Sequence, residues 1–136
     1  MHKASLEVRT RGIGLYDVTR ELELVVRESQ IVDGLAIVFV RHTSASLLIQ
    51  EAADPSVQED LLEFFARLVP EGHHYRHGSE GSDDMPAHIR SALTHSSEVI
   101  PVAERSLQLG TWQGLYLFEH RRSPHRRRLE VRVLAG

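Results

Sequence analysis

No cysteine occurs in the 136 residues. That excludes a disulfide framework and thiolate zinc sites, so any transition metal must be held by histidine and carboxylate. Long apolar runs are missing too; none approaches the ~20 residues that span a bilayer. The first residues, Met1 to Glu7, carry no apolar signal region. These absences predict a soluble, cytoplasmic protein with no membrane partner. The short motifs of phosphate loops, dinucleotide folds, serine hydrolases and paired-histidine zinc enzymes are also absent.

What is present is an ordinary globular composition in a chain as long as one domain. A chain of this size buries a core without covalent staples. The net charge of −3 conceals an asymmetry. From Glu51 to Asp84 the acidic residues are opposed only by Arg67 and Arg76, whereas from Arg121 to Arg132 the arginines are opposed only by Glu130. Arginines grouped like this pair with phosphate or with an acidic segment. No aromatic residue interleaves them and the whole chain is acidic, which argues against a nucleic-acid partner.

Residues Lys3–Thr10 alternate apolar and polar, which predicts a strand. Gly12 and Gly14 mark a turn. Thr19 is placed to cap a helix over Arg20–Glu28, with Leu22, Val25 and Val26 on one face. Leu35–Arg41 and Ser46–Glu51 read as strands. Asp54-Pro55 predicts a helix start, running to Leu68 with Val57, Leu61, Phe64, Phe65 and Leu68 facing the core. Val69–Asp83 reads as a polar loop long enough to be functional. Asp84 reads as the N-cap of a short helix near Ala87–Leu93. Val99–Val102, Leu115–His120 and Arg128–Leu134 read as strands, with Pro101 placing the first at an edge. Trp112, between Gly110 and Gly114, reads as a core residue at a bend. The expected fold is α+β: one domain over residues 1–136, a mostly antiparallel sheet, and two or three helices on one face.

Nine histidines make acid–base or metal chemistry the first question. They are densest at His73-His74-Tyr75-Arg76-His77. His42 ends a buried strand and opens onto the hydroxyls Thr43, Ser44 and Ser46, a setting that can hold an anion. His88 falls in the first turn after Asp84. Leu115, Leu117 and Glu119 share one face of their strand, and Tyr116, Phe118 and His120 the other. Glu51 ends its own strand and can orient a histidine or take a proton.

Taken in order, several segments resemble one family. They are His42-Thr43-Ser44-Ala45-Ser46; Glu51 with Asp54-Pro55; Asp60 with Phe64-Phe65; Val69-Pro70; His77, Glu80-Gly81 and Asp83-Asp84-Met85-Pro86-Ala87-His88; Ile100-Pro101-Val102; Gly110-Thr111-Trp112-Gln113-Gly114; and Glu119-His120-Arg121. The chain resembles the YjbQ-type family of small proteins, also called secondary thiamine-phosphate synthases. The likeness covers essentially the whole chain. It implies an α+β fold assembling as a homotrimer. It also implies weak thiamine-phosphate synthase activity, which joins hydroxymethylpyrimidine diphosphate to a thiazole phosphate and releases pyrophosphate. The chain departs from the family in reading Gln50-Glu51-Ala52 where Asn-Glu-Asn is common.

The expected site then has three parts. His42, His77 and His88 are the candidate ligands of a divalent metal, zinc or magnesium, with one position open for water or phosphate. Glu51, His120 and Arg121 are the candidate catalytic residues, Arg121 helping to neutralise the leaving pyrophosphate. Thr43, Ser44, Asp84, Thr111 and Gln113 are the candidate substrate-binding residues. The expected partner is a small phosphorylated metabolite. Two alternatives stand beside the synthase: a metal-dependent hydrolase of a phosphorylated small molecule, and a non-catalytic module for an anionic metabolite.

Overall fold

The alternation at the N-terminus builds strand β1, His2–Thr10, in which every second side chain is more exposed. The computed structural model describes residues 1–72 and 74–136, so His73 lies outside the described residues. After β1 come β2 (Gly14–Asp17), α1 (Thr19–Ser29), β3 (Gly34–Val40), β4 (Ala45–Glu51) and α2 (Pro55–Leu68). Then follow α3 (Asp84–Leu93), β5 (Ser97–Ala103), β6 (Ser106–Leu107), β7 (Gln113–Glu119) and β8 (His125–Ala135). The fold is α+β, and the strand pairs are antiparallel.

The strands do not form one sheet with helices on one face, as expected. They form two sheets, ordered β1-β8-β3-β5-β6 and β2-β7-β4. Val38, Val40, Leu129 and Val131 of the first share one core with Ala45, Leu47, Leu115 and Leu117 of the second. Helix α1 adds Leu22, Val25 and Val26 to that core. Helix α2 meets the small sheet through Tyr116 and Phe118. Phe65 meets Phe118 edge-on at 5.3 Å between ring centroids, and the Gln58 amide donates to the Tyr116 hydroxyl at 3.0 Å. The reason is in β7, which is apolar on both faces and needs cover on both.

Local chemistry explains the other departures. The turn after Gly12 leads into a short strand, β2, which pairs with β7. Thr19 is the first helical residue and not the cap. Its hydroxyl accepts from the Leu115 N–H at 2.9 Å, so the side chain is committed to the sheet. Asp54 caps α2 as expected, accepting from the Ser56 N–H at 2.9 Å. Phe64 and Leu68 do not reach the core; they are 49% and 53% exposed. The outer side of the large sheet likewise leaves Leu35, Phe39 and Val99 uncovered.

Strand β5 lies one place in from the edge, beside the two-residue β6. Pro101 is tolerated there because its nitrogen points to the open side, where its carbonyl accepts from Gln108 N–H at 2.8 Å. Strands β3 and β8 approach so closely at Gly34 that a Cβ would lie 1.8 Å from the Leu134 carbonyl oxygen. Only glycine fits that position. Among the described residues no helix is long and apolar enough to cross a membrane.

Candidate metal centre

Helix α3 starts after a turn at Gly81, whose φ of +109° suits glycine. Asp83 and Asp84 follow, at a helix N-terminus where acidic side chains are favoured. Asp84 is not the N-cap expected from the sequence; it is the first helical residue and 2% exposed. Its carboxylate is turned toward other side chains. Oδ2 lies 2.6 Å from His77 Nε2 and 3.1 Å from His88 Nε2, and Oδ1 accepts from Arg121 Nη1 at 2.7 Å. His88 shares the helix face of Asp84 because it follows four residues later. One ligand atom from each of His77, Asp84 and His88 lies within 4.8 Å of the other two.

The electrostatics of this group favour a cation. Burial pushes the Asp84 carboxyl up, but the hydrogen bond with His77 and the neighbouring His88 and Arg121 outweigh it and hold it below the usual carboxylate range. Asp84 is therefore ionised. His88 Nδ1 lies 2.9 Å from the Thr43 carbonyl oxygen. A carbonyl only accepts, so this nitrogen carries hydrogen. In the neutral ring, Nε2 is then a bare lone pair facing a carboxylate oxygen. A proton or a metal ion between them relieves the repulsion. Two imidazoles and one carboxylate are a donor set of catalytic zinc sites, with a fourth position open. Magnesium prefers oxygen ligands throughout. The Thr43 carbonyl and Arg121 serve as the outer partners that fix ligand orientation.

The other expected site residues are distributed differently. His42 does not join His77 and His88. Its Nε2 accepts from the Arg128 N–H at 3.0 Å, so the lone pair is already used by β8. Arg121 is not free for a substrate. Its Nε donates to Asp83 at 3.1 Å, Nη1 to Asp84, and Nη2 to the Glu80 carbonyl at 3.0 Å. It positions Asp84. Thr43 is exposed, while Ser44 is buried and its hydroxyl oxygen accepts from Arg127 at 2.9 Å.

Glu51, Thr111 and Gln113 lie at the far end of the small sheet. Ala45 pairs with Glu119 beside the site, and Glu51 pairs with Gln113 six residues further along β4, about 20 Å away. Glu51 accepts from the Ala53 N–H and Gln113 from the Gly110 N–H, so both hold local turns. Trp112 is 64% exposed and outside the core, because the Gly110–Gln113 turn carries it past the sheet.

The pairing of Glu119 with Arg127 as a buried ion pair was not read from the sequence. Glu119 is fully buried. Its Oε1 accepts from the Thr10 hydroxyl at 2.6 Å and Arg127 Nε at 2.7 Å. Its Oε2 accepts from Arg127 Nη2 at 2.5 Å and from the backbone N–H groups of His120 and Arg121. A signal existed: Arg127 stands in phase with Leu129, Val131 and Val133, the inward face of β8. A charge in that phase implies a buried partner. The acidic segment is also partly explained, since Arg121 pairs with Asp83 and Asp84, and Arg122 with Glu71.

His120 is fully buried against Phe118, with Nε2 2.8 Å from Ser46 Oγ. Burial, aided by the charge of Arg90, lowers its pKa from 6.5 to about 3. It is neutral and buried in the chain. Its folded pKa lies below its unfolded one, so the unfolded chain takes up the proton first. Its contribution is complete above pH 6.5 and is lost as pH falls toward 3. At 1.36 kcal/mol per pH unit, roughly 3 kcal/mol goes between pH 6.5 and 4. His120→Asn is expected to lose about that much less than wild type over this range in urea unfolding. Equal losses would refute the assignment.

The pattern of segments now has its counterpart in known proteins. Residues 4–136 match the family model described as UPF0047 protein YjbQ-like. The chain belongs to the YjbQ-like UPF0047 family. It is 56% identical over 133 residues to the UPF0047 protein sll1880 of Synechocystis sp., covering 97% of this chain and 90% of the relative. It is 40% identical over 121 residues to the UPF0047 protein YjbQ of Escherichia coli O157:H7, covering 88% of each. The crystal structure of the hypothetical protein APE1520 from Aeropyrum pernix matches with a TM-score of 0.91 at 31% identity, over all of both chains. The conserved hypothetical protein TT1486 from Thermus thermophilus matches at 0.87 with 35% identity, over 96% of this chain and 99% of that one. In this YjbQ-like protein the His77, Asp84 and His88 cluster and its supports occupy the His77 to His88 and Glu119-His120-Arg121 segments.

Proposed function

We propose that His77, Asp84 and His88 hold a divalent cation, zinc above magnesium, and that the protein is an enzyme acting on a phosphorylated small molecule. The observation that carries this reading is the convergence of one ligand atom each from His77, Asp84 and His88 within 4.8 Å of one another, with His88 Nδ1 held by the Thr43 carbonyl so that Nε2 faces the Asp84 carboxylate. A bound cation would supply neutralisation of charge on a leaving phosphate or pyrophosphate. Arg121 holds Asp84 in place, and the Thr43 carbonyl holds His88 with Nε2 toward the carboxylate. Thiamine-phosphate synthesis, with pyrophosphate leaving, is the first specific reaction proposed, as the motif resemblance in the sequence implies. Hydrolysis of a phosphate ester uses the same groups.

Chelator-treated protein is expected to bind one zinc ion per chain by calorimetry. The loaded protein is expected to form thiamine phosphate or to release phosphate from one of a panel of esters. Absence of zinc and magnesium binding would remove the site, and binding without any turnover would remove the enzyme. We also propose a homotrimer, supported by the uncovered apolar residues Leu35, Phe39 and Val99 on the large sheet and Phe64 and Leu68 on α2. Light scattering is expected to give three times the chain mass; a monomer mass overturns it.

A further inference from the structure

A second polar feature lies beside the cation cluster. It is an open cleft of about 610 Å³ at the end of β3, walled by Arg41, His42, Thr43, Ser44 and Arg127, with Phe39 on one side. No carboxylate forms part of its wall among the described residues. Arg127 is 3% exposed and lies against Glu119, which takes Nε and Nη2; Ser44 also accepts from Nη2. Among the described residues nothing accepts from its Nη1, and that atom is not among the sealed, unpartnered ones. Two guanidinium N–H bonds of a cleft-lining residue are thus without a partner among the described residues.

The other donors follow from counting hydrogens. His42 Nε2 accepts from the Arg128 N–H, so the neutral ring carries its hydrogen on Nδ1. The Ser44 oxygen accepts from Arg127, which leaves the Ser44 O–H free to donate. Thr43 adds a second hydroxyl. Positive charge is in excess in the adjoining depression, which shares Phe39 and Arg41 with the cleft; there Arg41, Arg128 and Arg132 share the carboxylate of Glu130. Donors in excess of acceptors, Arg41 in the wall and a pre-fixed arginine are what a tetrahedral oxyanion requires.

We propose that this cleft binds a phosphate group through Arg127, His42, Thr43 and Ser44. Thr43 links it to the cation cluster, since its carbonyl holds His88 while its side chain lines the cleft. That the phosphate belongs to the substrate rests on the cation site proposed above; the binding itself does not. The cleft accounts for the part of the expected site, His42-Thr43-Ser44, that the cation cluster leaves unused.

The test is a titration of the full chain with inorganic phosphate in the presence of EDTA, followed by ¹H–¹⁵N NMR. Saturable shifts are expected at the Thr43 and Ser44 amides and the Arg127 side-chain N–H. His42→Ala and Thr43→Val are each expected to weaken phosphate about tenfold, the effect of losing one hydrogen bond to a charged group. Thr43→Val is nearly isosteric and exposed, so it keeps the test open if His42→Ala folds poorly. No saturable binding, or binding unchanged by both variants, overturns the proposal. Phosphate binding in a protein that fails to bind zinc upholds the cleft while removing the cation site.

Discussion

Asp84→Asn is expected to bind zinc about 100-fold more weakly than wild type, the upper end of what outer-shell losses cost and a floor for losing a ligand. The amide keeps the shape of the carboxylate but not its charge. It also sets an N–H₂ group against either Arg121 or the two histidines, which in wild type share Oδ1 and Oδ2 between them. The loss should be visible in stability as well as affinity. A ligand that binds only the folded state raises its melting temperature in proportion to the logarithm of its concentration. Zinc should therefore raise the melting temperature of wild type and leave that of Asp84→Asn nearly unmoved. Equal zinc-induced shifts in the two proteins would mean that the metal binds elsewhere. The same chain without metal provides the baseline, because Arg121 retains Asp83 in the variant.

Glu119→Ala is expected to destabilise the fold by about 3–5 kcal/mol, since it leaves Arg127 buried without its counter-charge. The same change strips acceptors from Thr10 and from the backbone N–H groups of His120 and Arg121. Replacing both members, as in Glu119→Leu with Arg127→Met, should recover much of the loss, because a packed apolar pair carries no desolvation cost. Urea unfolding of the three proteins measures this. A loss below about 1 kcal/mol in Glu119→Ala would show that the pair is not sealed. The pH dependence has a definite sign. Burial pushes Glu119 up, but hydrogen bonds from Arg127, Thr10 and the Arg121 backbone outweigh it and hold its pKa below 4.5. Its contribution is therefore full above pH 4.5 and is lost as pH falls through the lower, folded value.

Much of this molecule is legible residue by residue. Helix α2 begins where Asp54-Pro55 says it should, because a cap and a proline act within a few residues. Alternation in β1 and the apolar run of β3 do the same for strands. Thr19 and Asp84 show where local reading stops. Each is a good cap by type, yet the Leu115 N–H claims one, and His77, His88 and Arg121 claim the other. Leu115, His77 and Arg121 lie far along the chain or across a loop, where no spacing rule reaches; only His88, four residues on, lies within one. His42 and Arg121 are engaged differently from the ligand and substrate arginine expected of them for the same reason. Their polar atoms already have partners that only the packing of β8 and α3 supplies.

The sequence by itself determined the class of the fold, the family and the chemical inventory of the site: histidines and carboxylates, without thiolate. It did so because composition, caps and alternation are local quantities. Tertiary structure decided which of those groups meet. Two sheets closing on one core bring β7, β8 and the β3–β4 turn to one end, and carry Glu51, Thr111 and Gln113 to the other. Proximity between distant residues follows from register and packing. Those depend on the whole chain at once.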